Sequence, residues 1–156
     1  MRLALFEPDI PQNAGTLMRL GACLNVPVDV IEPCGFTFDE RRMRRAGMDY
    51  LDQVDLTRHV SWTAYQSVRI KQGGRMILLT TKADSSYTDF KFEPGDTVLL
   101  GRESAGVPDD VHQAADARVT VPMAANARSL NVAVAAAMVL GEGLRQTSGF
   151  PIDSED

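Results

Sequence analysis

Three polar segments of the sequence contain residues that could carry chemistry, and the first covers residues 10–19. Pro11 stiffens the backbone there, and Gly15 lets it approach another group closely. Asn13 and Arg19 are six residues apart near the start of an expected helix, so both side chains could converge on a substrate above that start. The alternative is that Asn13 is an ordinary N-cap and Arg19 a surface arginine.

A second segment, residues 100–108, combines two glycines with a carboxylate. Gly101 and Gly106 are five residues apart and allow a ligand to lie close to the backbone. The segment matches neither the dinucleotide-binding glycine pattern nor the phosphate-binding P-loop. It could equally be a plain strand-to-helix turn, in which Glu103 is favoured only because it lies near a helix N-terminus.

The third segment, residues 121–131, leads into the last expected helix. Ser129 fits the N-cap of that helix. Asn131 would then lie in the first turn, where its side chain can reach a ligand. Neither His59 nor His112 lies near a serine motif, so the sequence does not indicate nucleophilic catalysis by a Ser-His-Asp set.

Positive charge is concentrated in residues 41–45, which read Arg-Arg-Met-Arg-Arg. The formal net charge of the chain is −5, which by itself argues against nucleic-acid binding, but binding depends on the local patch rather than on the sum. Arg41 and Arg45 are four residues apart and therefore share one face of a helix. This face either contacts RNA or is solvated and paired with Asp39 and Glu40.

Strand-like and helix-like segments alternate along the chain, which predicts an α/β fold with a mainly parallel sheet flanked by helices. The expected strands are residues 3–6, 28–31, 76–79, 97–100 and 118–121. The expected helices are residues 13–25, 39–46, 61–72, 108–115 and 129–146. Ligands of such sheets bind outside the carboxyl ends of the strands, so the segments that follow residues 79, 100 and 121 should meet in one site.

The length of 156 residues suits one domain, expected at residues 1–150 and followed by a flexible acidic tail at residues 151–156. No apolar run approaches the roughly 20 residues of a membrane span, and residues 1–30 show no signal peptide, so a cytoplasmic protein without membrane contact is expected. Cys23 and Cys34 have no metal-ligand spacing, so no metal is expected, and both should be small buried residues.

Taken together, the three polar segments resemble the three motifs of SpoU-type RNA ribose methyltransferases of the SPOUT class. The resemblance covers residues 2–146, and the matches keep the order and spacing of the family. The matching residues are Asn13, Gly15 and Arg19 in the first motif, Gly101, Glu103, Gly106 and Pro108 in the second, and Pro122, Ser129, Leu130 and Asn131 in the third.

Three further segments, residues 31–36, 44–50 and 79–82, are similar to the short bacterial enzymes of this family that methylate the tRNA wobble ribose. Those enzymes consist of the catalytic domain alone, which agrees with the length of this chain. The resemblance implies methyl transfer from S-adenosylmethionine to the ribose 2′-hydroxyl at position 34 of leucine tRNAs that carry cytidine or a modified uridine there.

The resemblance also implies finer features of the fold and the roles of individual residues. It implies a trefoil knot in the C-terminal half and a homodimer in which the partner chain completes each active site. The implied catalytic residues are Arg19, Asn13, Glu103 and Asn131, with Arg19 aimed at the 2′-hydroxyl. The implied contacts of S-adenosylmethionine are Leu79, Thr80, Gly101, Glu103, Gly106, Val121, Ser129 and Leu130. The implied tRNA contacts are Arg41, Arg44 and Arg45.

One departure from the family pattern lies in the second motif, where Arg102 and Ala105 stand in place of a proline and an arginine. The departure shifts a positive charge within the loop and makes RNA contacts from this loop doubtful. Other functions remain open at this point: the same chemistry on another tRNA position or on ribosomal RNA, or a catalytically silent RNA-binding protein. A nucleotide-binding enzyme that uses ATP or NAD is disfavoured by the missing phosphate motifs.

Overall fold

A six-stranded sheet runs through the centre of the computed structural model, which describes residues 1–45 and 49–152. The strands are β1 (Arg2–Phe6), β2 (Val28–Ile31), β3 (Leu56–His59), β4 (Met76–Leu79), β5 (Thr97–Leu100) and β6 (Ala117–Val119). The helices are α1 (Pro11–Leu24), α2 (Glu40–Arg45), α3 (Trp62–Gln72), α4 (Asp109–Ala114) and α5 (Val132–Thr147). The expected α/β fold with a mainly parallel sheet is therefore confirmed.

All strand pairs in the sheet are parallel, in the order β3-β2-β1-β5-β4-β6. Alternate residues of each strand face opposite sides of the sheet. In β1, Leu3 and Leu5 belong to the core on one side, whereas Ala4 and Phe6 belong to the core on the other. Burial on both sides explains why the central strands are continuous apolar runs.

The two faces of the sheet are covered by different helices. Leu17 of α1 and Leu140 of α5 are buried in the first core, and these two helices also pack against each other. Tyr65 of α3 and Val111 of α4 are buried in the second core. The helices therefore enclose the sheet while leaving the carboxyl ends of its strands available for a site.

The order of the strands brings the ends of β1 and β5 together, although Phe6 and Leu100 are 94 positions apart along the chain. From β1 the chain runs outward through β2 and β3, and it then crosses over to β4, β5 and β6. In parallel α/β sheets, ligands bind where the direction of progression reverses in this way. The loops after β1 and β5 lie at that point.

The predicted strands at residues 28–31, 76–79 and 97–100 are confirmed, and so is the helix at 61–72, which begins one residue later and is capped by the Ser61 hydroxyl. The strand expected at residues 118–121 is shifted, since β6 covers Ala117–Val119. Strand β3 was not predicted. It is an edge strand in which Thr57 and Arg58 are exposed, so it shows no apolar pattern.

The expectation that both cysteines are small buried residues is wrong for Cys23, which is exposed, and only partly right for Cys34, which is half-buried. Of the expected acidic tail, residues 151–152 are exposed, and residues 153–156 lie outside the described part of the chain. The end of the predicted basic helix, residue 46, also lies outside it.

Candidate functional site

A cavity of about 420 Å³ lies at the carboxyl ends of β4, β5 and β6, beside the start of α1. The segments that follow residues 79, 100 and 121 all contribute to its wall, as their placement at strand ends predicted. Asn13 and Asn131 also line it. All eight residues expected to contact a methyl donor line the cavity: Leu79, Thr80, Gly101, Glu103, Gly106, Val121, Ser129 and Leu130.

The loop that follows β5, residues 101–106, is a small closed hairpin. The amide of Arg102 donates to the Gly106 carbonyl at 2.9 Å, and the amide of Gly106 donates to the Arg102 carbonyl at 2.8 Å. A Cβ on Gly101 would lie only 2.8 Å from the carbonyl carbon of Gly106, and Gly106 itself has a φ of 65°. Both glycines are therefore required by this backbone, which forms one wall of the cavity.

Asp9 joins this hairpin to the segment that follows β1. The amide of Asp9 donates to Oε2 of Glu103 at 3.1 Å, and the amide of Glu103 donates to Oδ1 of Asp9 at 3.1 Å. The Ser104 hydroxyl donates to Oδ2 of Asp9. Sequence reasoning did not single out Asp9. Its signal was present, however, in the acidic Glu-Pro-Asp sequence directly after the strand.

The two carboxyl groups of Asp9 and Glu103 shift each other's pKa in opposite directions. The hydrogen bond with Glu103, together with that from Ser104, lowers the pKa of Asp9 to about 2. Burial, followed by the hydrogen bond with Asp9, raises the pKa of Glu103 above its ordinary value. A proton taken up by this pair therefore resides on Glu103, and Asp9 stays ionised.

These shifts predict how acid affects an Asp9→Asn variant. Because its pKa is lowered in the folded protein, Asp9 stabilises the fold above its ordinary pKa of 3.8, and this contribution is lost as the pH falls through about 2. The variant should therefore have a lower free energy of unfolding than the wild type at pH 7, and the difference should shrink as the pH falls through that range. Urea unfolding at several pH values measures it.

Asp89→Asn, a change at an exposed carboxylate, is the control for the Asp9 variant. Glu103 has the opposite effect on stability, because its pKa is raised in the folded protein. It stabilises the fold at pH values below its ordinary pKa of 4.5, and this stabilisation is lost as the pH rises through its pKa in the folded protein. A difference between Asp9→Asn and the wild type that is constant from pH 7 to the acid limit would contradict the assigned pKa of Asp9.

Asn13 and Asn131 link the first and last helices across the cavity wall. Nδ2 of Asn131 donates to Oδ1 of Asn13 at 2.9 Å, and Glu103 lines the same cavity. Oδ1 of Asn131 accepts from the amides of Ala133 and Val134, at 2.9 and 3.3 Å. The structure thus brings together three of the four residues expected to be catalytic.

The helix caps differ from the predicted ones. Helix α1 begins at Pro11 after Ile10, so Asn13 lies inside its first turn and does not cap it. Helix α5 begins at Val132, and its N-cap is Asn131 rather than Ser129. Proline is favoured at the first helical position, which explains why α1 begins at Pro11. Asn131 caps α5 because its side-chain oxygen accepts from the free amides of the first turn. Both asparagines are thereby free to face the cavity.

Arg19, the fourth of these residues, does not line this cavity. It is exposed and lines a second cavity of about 240 Å³, where its guanidinium lies over the Tyr50 ring, 4.6 Å from the ring centroid. The expected convergence of Arg19 with Asn13 is therefore wrong within one chain. Residues six apart in an α-helix are separated by about 240° around its axis, so the two side chains point away from each other. Tyr50 was not predicted as a site residue.

The basic helix α2 carries the expected RNA-contacting arginines. Arg41 is exposed, and its backbone amide is bound by Asp39. Nη1 of Arg44 lies 2.6 Å from Asp52, so part of its charge is compensated within the chain. The side chain of Arg45 lies outside what the structure describes. The shared face of Arg41 and Arg45 thus stays a prediction.

Residues 1–141 match the SpoU rRNA methylase family. The chain belongs to this family. A tRNA (cytidine(34)-2′-O)-methyltransferase from Beijerinckia indica is 63% identical over 148 residues, which cover 95% of this chain and 92% of the relative. The family assignment made from the three motifs is therefore confirmed.

Solved structures give the same family and the same fold. A structure that offers insights into the 2-OH methylation of C/U34 on tRNA superposes with a TM-score of 0.87 at 36% identity, over 95% of this chain and 96% of that one. The SpoU methyltransferase AviRb from Streptomyces viridochromogenes, in complex with AdoMet, gives 0.78 at 25% identity, over 94% and 60%. This SpoU family member is an S-adenosylmethionine-dependent ribose methyltransferase, as its motifs predicted.

Two further properties concern membranes and metals. Within residues 1–45 and 49–152, no helix of this SpoU family member is long and apolar enough to cross a membrane. Among the same described residues, no group of three or more His, Cys, Asp or Glu side chains is arranged to hold a metal ion.

Proposed function

We propose that this chain methylates the ribose 2′-hydroxyl of the wobble nucleotide, cytidine or a modified uridine such as carboxymethylaminomethyluridine at position 34, in leucine tRNAs. The observation that carries the proposal is that all three motif segments line one cavity in a chain whose relatives of nearly equal length are named tRNA (cytidine(34)-2′-O)-methyltransferases. The solved structure on the 2-OH methylation of C/U34 on tRNA supports a substrate of this kind, since it superposes over 95% of this chain.

The cavity suits S-adenosylmethionine in size and in chemistry. Its volume of about 420 Å³ falls within the range of small-molecule sites. The glycine hairpin brings bare backbone to the wall, and a side chain at Gly101 would clash with the Gly106 backbone that closes this hairpin. The residues that would hold the donor are Leu79, Thr80, Gly101, Glu103, Gly106, Val121, Ser129 and Leu130. The donor supplies an electrophilic methyl group on a sulfonium, which is a good leaving group.

In this mechanism the protein orients the acceptor oxygen and stabilises the negative charge that develops on it. Arg19 is assigned to that task, because a guanidinium is permanently charged and cannot serve as a general base. Asn131 is hydrogen-bonded to Asn13, and these two residues and Glu103, which all line the cavity, hold its wall and the ribose in place. The hydroxyl proton passes to a substrate phosphate or to water.

A homodimer accounts for the position of Arg19. Its side chain is exposed and points away from the cavity of its own chain, so it is available to the cavity of a second copy. Two copies would also double the basic surface that carries Arg41 and Arg44. That surface would allow tRNA binding despite a net charge of −5, with steep dependence on salt.

The remaining expectations complete the proposal. Residues 1–150 form a single SPOUT domain with a C-terminal trefoil knot. The enzyme acts in the cytoplasm, without a metal.

A methyl-transfer assay tests the proposed function. Purified protein, labelled S-adenosylmethionine and total tRNA from a strain that lacks the enzyme are incubated, and the labelled nucleotide is identified after digestion. We expect the label on the 2′-oxygen of the wobble nucleotide of leucine tRNAs. Label at another tRNA position or only on ribosomal RNA would overturn the substrate, and RNA binding without any label would point to a catalytically silent protein.

A further inference from the structure

Arg102, the residue that departs from the family pattern, lies between the ends of two neighbouring strands. Its Nη1 atom is 3.3 Å from Oε2 of Glu7, and its Nε atom is 3.8 Å from Oδ2 of Asp9. Glu7 and Asp9 follow β1, whereas Arg102 follows β5, and these strands are paired up to Leu5 and Leu100. The Arg102 side chain therefore connects the two segments that leave the sheet beside the cavity.

The contacts of Arg102 belong to a larger set that connects the same two segments, and we call this set, formed by Glu7, Asp9, Arg102 and Glu103, the tie. The amides and carboxylates of Asp9 and Glu103 bind each other reciprocally, and each hydrogen bond measures 3.1 Å. The backbone of Arg102 is also bonded twice to Gly106, which closes the hairpin. Because the hairpin is one rigid unit, a shift of Arg102 would move the whole cavity wall formed by residues 101–106.

The charges at this tie explain why an arginine is needed. Glu7 and Asp9 both present carboxylates to Arg102, and two like charges held close together repel each other. The guanidinium of Arg102 compensates them. Its side chain is 34% exposed, and its charged group faces the segment after β1. The cation is thus engaged within the chain and is poorly placed to bind a phosphate.

We infer that Arg102 is a positioning residue, which holds the 101–106 hairpin against the segment after β1 and so fixes the wall that would receive the methyl donor. The inference rests on the proposed function in one respect, namely that this cavity binds S-adenosylmethionine. It also explains why Arg102 departs from the family pattern in the second motif: its positive charge maintains the shape of the cavity and does not contact RNA.

The test measures donor binding and RNA use separately in full-length variants. For Arg102→Ala we expect the dissociation constant of S-adenosylmethionine, measured by calorimetry, to rise about tenfold, because a small displacement of a binding wall is costly. The KM for tRNA should stay unchanged. Arg102→Lys should recover part of the affinity, since it keeps the charge but loses the planar fork of the guanidinium.

A double-mutant cycle with Glu7→Gln makes the test specific. Glu7→Gln removes the ion pair from its other side, so it should weaken donor binding by itself, but it should add nothing in the Arg102→Ala background. This variant also keeps the test decisive if Arg102→Ala does not fold. Arg58→Ala is the matched control. Arg58 lies on the edge strand β3, far from the cavity, and its side chain is 38% exposed and forms an ion pair with Glu32.

Three results would overturn the inference. Unchanged donor affinity in both Arg102→Ala and Glu7→Gln would show that the tie does not shape the site. An increased tRNA KM with a reduced salt dependence would show that Arg102 contacts RNA instead. An equal loss of donor affinity in Arg58→Ala would indicate general destabilisation. Wild-type protein that binds no donor at all would instead refute the proposed function.

Discussion

Replacing Arg19 with alanine should lower kcat by about 10²- to 10³-fold and leave the dissociation constant of S-adenosylmethionine unchanged. Removal of one group that stabilises a developing oxyanion has an effect of this size. Arg19 lies outside the donor cavity, so donor binding should not need it. Single-turnover methyl transfer to tRNA measures the rate, and calorimetry measures the affinity.

The fold should tolerate this substitution, which makes the kinetic result interpretable. Arg19 is exposed and its guanidinium contacts the Tyr50 ring, so its loss should change the free energy of unfolding by less than about 1 kcal/mol. Arg145→Ala is the matched control, because Arg145 is also an exposed arginine on a helix. A kcat for Arg19→Ala close to that of Arg145→Ala would remove Arg19 from the mechanism.

The location of the site was predictable from the sequence because parallel topology decides it. The segments after residues 79, 100 and 121 were identified as strand ends with small or polar residues. Once the strands are parallel, such ends meet at one edge of the sheet. The same argument predicted that Gly101 and Gly106 would form a backbone wall, since glycines in that position serve close approach.

The partners of the site residues were not predictable in the same way. Asp9 and Glu103 are separated by 94 positions, and nothing local to either residue indicates the hydrogen bonds between them. The caps were mistaken because Ser129 and Asn131 both fit an N-cap, and tertiary contact with Asn13 decided between them. Local propensity is a weak guide where a long-range bond competes.

The direction of Arg19 shows a different limit. Its spacing of six residues from Asn13 corresponds to about 240° around a helix, so helical periodicity alone places the two side chains on different faces. What the sequence cannot indicate is the surface on which Arg19 lies, because Tyr50 comes from a segment beyond α2. No local pattern in the sequence indicates a second copy of the chain either.

Asn131 has two structural tasks, and removing both should have the largest effect on stability. As the N-cap of α5 it binds two amides, and its amide group satisfies the buried Asn13 oxygen. Losing the cap costs about 1 kcal/mol, and leaving a buried acceptor unpaired costs about 1–3 kcal/mol. We therefore expect Asn131→Ala to lower the free energy of unfolding, measured with urea, by about 2–4 kcal/mol.

The Asn131→Ser variant separates the two tasks. A serine hydroxyl can still cap the helix but is too short to reach Asn13, so this variant should lose only the cost of the unpaired Asn13 oxygen, about 1–3 kcal/mol. Both variants should also weaken donor binding, because Asn131 and Asn13 line the cavity together. If Asn131→Ser were as stable as the wild type, the hydrogen bond between the two asparagines would contribute nothing to the free energy of unfolding.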